Sequence, residues 1–143
     1  MNLQIKEGTP QDIPALLGLI KELALYEKAP EQVINTEEKI LEDGFGKQPI
    51  FKFWLAWDGD LAVGMAVVYF RYSTWKGKCL YLEDLYIKEE YRKHKLGHHF
   101  FDLLKEYGKQ ENCQRISWQV LEWNEPAINF YKKIGASLDP EWT

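Results

Sequence analysis

Two adjacent acids, Glu83 and Asp84, interrupt the apolar run "LYLEDLYI". Successive strand residues point to opposite faces, so a buried strand cannot hide both from water. Burying an unpaired carboxylate costs several kcal/mol. Two readings follow: both acids sit near a strand end with an outlet to solvent, or the strand bulges and turns an acid into a cleft. In the second, the acid holds a cationic amine or takes its proton, directly or through water.

The next stretch, "YRKHKLGHHF" from Tyr91 to Phe100, contains all three histidines of the chain together with Arg92, Lys93, Lys95 and Gly97. It lies where strand gives way to helix. A helix N-terminus presents unpaired N–H groups and partial positive charge, which suits an anion. A solvated turn accounts for the same residues. His94 and His98 have i, i+4 spacing, but no local carboxylate completes a ligand set, so no metal is expected. Tyr131 is a third candidate. It is a core or rim tyrosine by its helical face, yet a phenol stays protonated at neutral pH and can donate to a departing thiolate. Asn124, capping the same helix, is placed to reach a ligand. Cys79 and Cys113 have no Cys-x-x-Cys spacing and are expected to be free thiols.

The elements that must position these groups are legible in order. "LQIKEG" alternates as a strand. Thr9-Pro10-Gln11-Asp12 reads as a helix start, and Ile13, Leu16, Leu17, Ile20, Leu23 and Ala24 give one apolar face to about Tyr26. A second helix is expected from Thr36 to about Asp43. "IFKFWLAW" and "LAVGMAVVYF" flank a turn at Asp58-Gly59-Asp60. The second of these strands is apolar on both faces and so belongs at the sheet centre. "KCLYLEDLYI" is a third strand, and the helix after it buries Leu96, Phe100, Leu103, Leu104 and Tyr107. "RISWQVLEW" is another strand; Asn124 to Ile134 is a last helix ended by Gly135, with a final strand expected from Ala136. The order β-α-α-β-β-β-α-β-α makes a mixed α/β domain with one crossover over the basic stretch.

The bulk numbers exclude several classes. A length of 143 residues with 45% apolar and 28% charged residues describes one globular domain, residues 1–143. With a net charge of −4 and only the Arg92–Lys95 cluster basic, no nucleic-acid partner is expected. No charged leader precedes an apolar run, and no run approaches about 18 residues, so a cytoplasmic chain without a membrane partner is expected.

Taken together, "LIKELALYEKAPEQV", "TEEKILEDGFG", "YFRYSTWKGK", "LYLEDLYI", "YRKHKLG" and "WNEPAINFYKKIGA" resemble the GNAT superfamily of acetyl-CoA-dependent N-acetyltransferases. The similarity is strongest to the diamine (spermidine/spermine) and thialysine acetyltransferase branch. It implies a mostly antiparallel sheet with flanking helices, possession of the last strand being open because the sequence stops at "DPEWT". It also implies acetyl-CoA as co-substrate, a small cationic amine as acceptor and a homodimer. The pyrophosphate loop of the family falls on Arg92, Lys93, His94, Lys95, Leu96, Gly97 and His98, with Lys95 where the first loop glycine belongs. The backbone of Leu85, Tyr86 and Ile87 corresponds to the strand that pairs with pantetheine, and Asn124 also corresponds to a CoA contact. Glu83 corresponds to the acid acting on the amine and Tyr131 to the acid that protonates CoA thiolate. Tyr26, Glu27, Glu83, Asp84, Ser73 and Trp75 are implied substrate contacts. Ser73 stands where polyamine-acetylating members carry an acid, which shifts the expected substrate towards short amines or diamino acids. A catalytically weak CoA-binding sensor or scaffold and a protein-lysine acetyltransferase are the alternative functions.

Overall fold

A computed structural model describes residues 2–118. The expectations for Asn124, Tyr131, the last helix and the final strand lie outside the described residues.

Among the described residues, five strands form one sheet in the order β1-β2-β3-β4-β5. They are β1 (Leu3–Glu7), β2 (Lys52–Asp58), β3 (Leu61–Ser73), β4 (Gly77–Ile87) and β5 (Ile116–Trp118). The first four pair antiparallel, and β4 pairs parallel with β5. Helices α1 (Ile13–Tyr26) and α2 (Glu37–Phe45) lie between β1 and β2, and α3 (Leu96–Gln110) crosses from β4 to β5. The apolar strand β3 is central, as its two apolar faces require.

Each face of the sheet carries its own core. Leu96, Phe100, Phe101 and Leu104 of α3 pack with Ala66, Val68, Leu80 and Leu82. Ile13, Leu16, Leu17 and Leu19 of α1 and Ile40 of α2 pack with Phe53, Leu55, Met65 and Val67 on the other side. Leu19 extends the α1 stripe beyond the face read from periodicity and joins the core that holds Ile40 of α2.

Local chemistry sets the element ends. The Thr9 amide and hydroxyl both donate to Asp12 Oδ2 at 2.9 Å, holding a short 3-10 turn (Pro10–Asp12) ahead of α1. The Thr36 hydroxyl accepts from the Lys39 amide at 3.2 Å and caps α2. Gly59, at φ +60, supplies the left-handed position of the tight β2–β3 turn.

The C-terminal end of α1 closes as a Schellman motif. The Lys28 amide donates to Leu25 O at 3.1 Å and the Ala29 amide to Ala24 O at 2.9 Å. That closure puts Lys28 at φ 62, a position glycine usually fills. The basic stretch is not helical from its first residue: Glu89–His94 is a 3-10 turn, and Lys95 reverses the chain at φ 59, ψ 22 before α3 begins.

Candidate functional site

The two acids of β4 owe their placement to one extra residue. Asp84 is opposite Val67 and Leu82 is opposite Val68, so Glu83 has no partner of its own on β3. This is a β-bulge, and it resets the alternation of side chains. Leu82 and Leu85 both pack towards α3. The Asp84 partner Val67 belongs to the α1-side core, and so does Tyr86. Glu83 shares that side, since the Tyr69 hydroxyl donates to Glu83 Oε1 at 3.3 Å. Consecutive acids thus face the same way, and the bulge reading of the sequence holds.

Helix α1 brings a third carboxylate. Glu27 is its C-cap residue, and burial pushes its carboxyl above the ordinary range. Asp84 is affected more strongly. Burial first, then the Glu83 and Glu27 carboxylates, push it up to about 7. Carbonyls at a helix C-terminus add partial negative charge at the same place. The site therefore concentrates negative potential, and a cation relieves it.

Beside it, β4 and β5 pair in parallel through Leu82↔Trp118, the last described residue, just before the bulge. Leu85, Tyr86 and Ile87 run on from there towards the basic turn. Ser117, opposite Tyr81, is buried in this pairing, and its hydroxyl has no hydrogen-bond partner among the described residues. Sequence reasoning missed Ser117, whose only signal was a polar residue between Ile116 and Trp118.

The basic turn leads into α3 with Arg92, Lys93, His94 and Lys95 exposed and Leu96 and Gly97 buried. Lys95, as N-cap, makes no side-chain capping bond to the first turn. A left-handed residue followed by helix amides suits phosphate oxygens. Those residues fit a pyrophosphate.

Two placements differ from what the sequence suggested. The Nε of Arg92 donates to Ile87 O at 2.8 Å, and its guanidinium lies 5.2 Å from the Tyr26 ring and 5.8 Å from the Tyr86 ring. It points back into the molecule. Ser73 and Trp75 occupy the β3–β4 hairpin tip, where the Ser73 hydroxyl accepts from the Trp75 and Lys76 amides at 3.2 and 3.0 Å. Since Ser73 pairs with Gly77, the tip is roughly 20 Å along the strand from Glu83 at about 3.3 Å per residue. Trp75 is 90% exposed. Within one chain, the structure does not bring this pair to the acids. Among the described residues no cluster of His, Cys, Asp and Glu is arranged to hold a metal ion, and no helix is long and apolar enough to cross a membrane.

Comparison with known proteins gives consistent matches. The profile of the Acetyltransferase (GNAT) family matches residues 18–136. The thialysine N-epsilon-acetyltransferase of Bos taurus is 38% identical over 142 residues, covering 94% of this chain and 84% of that one. The spermidine/spermine N(1)-acetyltransferase-like protein 1 of Homo sapiens is 36% identical over 93% of this chain and 20% of its own. Among solved structures, an integron cassette protein from the mobile metagenome of V. cholerae superposes with a TM-score of 0.79 at 26% identity, covering 99% of this chain and 89% of that one.

Proposed function

The chain belongs to the GNAT acetyltransferase family, and from that premise we propose that it transfers an acetyl group from acetyl-CoA to a primary amine of a small cationic substrate: a diamine, a polyamine or a thialysine-like amino acid. One observation carries the substrate class. Three carboxylates, Glu27, Glu83 and Asp84, share one side of the β4 bulge at a helix C-terminus, and Asp84 is raised to about 7 by burial and the other two. Such a site favours an ammonium over a neutral or anionic acceptor. The 38% identity to a thialysine N-epsilon-acetyltransferase points the same way.

Each residue then has a task. Glu27 and Asp84 hold the ammonium, and the exposed carboxylate of Glu83 takes its proton, directly or through water. The Tyr69 hydroxyl orients Glu83 by its hydrogen bond. The free amine attacks the thioester carbonyl, and a backbone N–H of the Leu85–Ile87 segment, that of Tyr86 in our reading, stabilises the oxyanion. The first turn of α3 and Lys95 bind the pyrophosphate. By resemblance, Asn124 contacts CoA and Tyr131 returns a proton to the thiolate. No covalent enzyme intermediate is needed; positioning and deprotonation supply the rate. Two copies are proposed to pair, supported by the family resemblance and by the exposed Tyr72 and Trp75 at the hairpin tip, 78% and 90% accessible.

A thermal-shift titration with acetyl-CoA, followed by thiol release over spermidine, 1,3-diaminopropane, thialysine, lysine and lysine peptides, tests the proposal. Stabilisation by acetyl-CoA with fastest release on the short diamines or thialysine is expected. Absence of any acetyl-CoA effect sinks it, and turnover confined to peptides replaces the substrate class.

A further inference from the structure

We propose that Arg92 is a positioning residue for the amine site, a latch between the cofactor turn and the end of α1, rather than a ligand of the CoA phosphates. Its kinetic arm rests on the acetyltransferase reading; its structural arm does not.

Three contacts define the latch. The Nε–H of Arg92 is committed to Ile87 O at 2.8 Å, which fixes the plane of the guanidinium against the end of β4. That plane then meets two rings, Tyr26 from α1 at 5.2 Å and Tyr86 from β4 at 5.8 Å. Both separations are within reach of cation–π attraction. A parallel tie lies one turn earlier on α1: the Tyr86 hydroxyl donates to Glu22 Oε1 at 3.2 Å, and Lys88 Nζ stands 3.3 Å from Glu22 Oε2. Arg92 thus meets the Tyr86 ring and Glu22 its hydroxyl. Tyr26 is the last residue of α1 and Glu27 its cap, so whatever fixes Tyr26 fixes Glu27 beside Asp84. The latch adds to the Schellman closure at a helix end whose Leu25 is 67% exposed.

The geometry separates latch from phosphate ligand. A phosphate tolerates lysine as a point charge, whereas a planar group that both stacks and donates from Nε has no lysine equivalent. We therefore compare Arg92→Lys and Arg92→Gln in the full chain, measuring CoA affinity, KM for 1,3-diaminopropane and thialysine, and hydrogen exchange of the Lys28 and Ala29 amides. Both variants are expected to speed exchange at those amides, and to raise the amine KM, by about threefold to tenfold. CoA affinity should stay within about twofold, the change a lost surface contact leaves. A weakening of CoA binding that Arg92→Lys restores, with exchange and amine KM unchanged, overturns the latch. If the parent protein binds no CoA, the acetyltransferase reading fails alone. The exchange rates still decide the latch: faster in both variants supports it, unchanged in both overturns it.

Discussion

At the C-terminal end of α1, carboxylates crowd where helix carbonyls already project negative charge; at the N-terminal end of α3, cations crowd where helix amides already project positive charge. Glu27, Glu83 and Asp84 make the first pole, and Arg92 to Lys95 make the second. Both arrangements run against the helix dipole. They differ in burial. The acidic pole is half-buried and shows its repulsion in the raised carboxyls of Glu27 and Asp84. Its basic counterpart is exposed, so water and salt moderate it. One pole suits a cation held against half-buried carboxylates and the other an anion lying along the surface. Repulsion within a folded protein is informative because a ligand of opposite charge removes it.

The largest effect expected from breaking this contrast is at Glu83. Glu83→Gln keeps the size and the Tyr69 contact but removes the proton acceptor. Turnover should fall by about a hundredfold or more, with CoA affinity unchanged, because the two poles are separate. Glu83 is exposed, so folding should not suffer. Equal losses in turnover and CoA affinity would merge the poles and defeat the comparison.

Next comes Asp84, whose carboxyl stands at about 7 against an ordinary 3.8. The native state keeps a proton that the unfolded chain has released, so stability is greatest below about pH 4 and declines as pH rises through 7. A displacement of about three pH units corresponds to about 4 kcal/mol, which solvent access to a half-buried group reduces to about 2 kcal/mol. Asp84→Asn should abolish the decline and leave the chain about 2 kcal/mol more stable at pH 8 than the parent protein. Urea midpoints at pH 5 and pH 8 measure it. A parallel decline in both proteins would place the repulsion elsewhere.

Sequence and structure agree where the signal is local. Gly59 between two acids marked the β2–β3 turn, Thr9 to Asp12 marked the start of α1, and the double-faced apolarity of β3 marked the sheet centre. The acids in "LYLEDLYI" posed the right question, because alternation cannot accommodate two of them, yet only the register with β3 shows that Glu83 is the extra residue. Side-chain direction was not legible. Nothing local tells Arg92 to turn back onto Tyr26 and Tyr86, since those rings come from α1 and β4. Ser73 likewise read as a ligand contact, and the hairpin uses its hydroxyl to close its own turn. The left-handed backbone of Lys28 and Lys95 was not read, because lysine carries no turn signal; their conformation is imposed by the helix ends they join.

Those lysines allow a finer cut. Lys28 and Lys95 share a backbone conformation, at φ 62 and φ 59, but stand at opposite kinds of helix terminus. Left-handed backbone at a residue with a Cβ costs about 1 kcal/mol, which glycine relieves. At Lys95 glycine also removes a cation from a positive helix end, adding about 0.5 kcal/mol. Lys95→Gly should therefore stabilise the ligand-free protein by about 1.5 kcal/mol. It should also weaken CoA binding about threefold at low salt, through the lost charge. Lys95→Ala, which loses the charge and keeps the strain, should show the same weakening without the full gain in stability. Tighter CoA binding by Lys95→Gly would mean that the side chain obstructs the phosphates.

Lys28→Gly gives the smallest effect and the most direct test of the comparison. Here the strain relief of about 1 kcal/mol is opposed, because the lysine sits at the negative end of α1 and its charge is favourable there by about 0.5 kcal/mol. The net gain should be about 0.5 kcal/mol, a third of that at Lys95. Salt then separates the two contributions. Strain is indifferent to ionic strength, whereas the charge–dipole part is screened within about 3 Å at 1 M. Denaturation midpoints of the two glycine variants should accordingly converge as sodium chloride is raised, the Lys28 variant gaining and the Lys95 variant losing until both approach about 1 kcal/mol. A gap that persists at high salt would assign the difference to packing around each turn, and the opposed helix poles would no longer explain it.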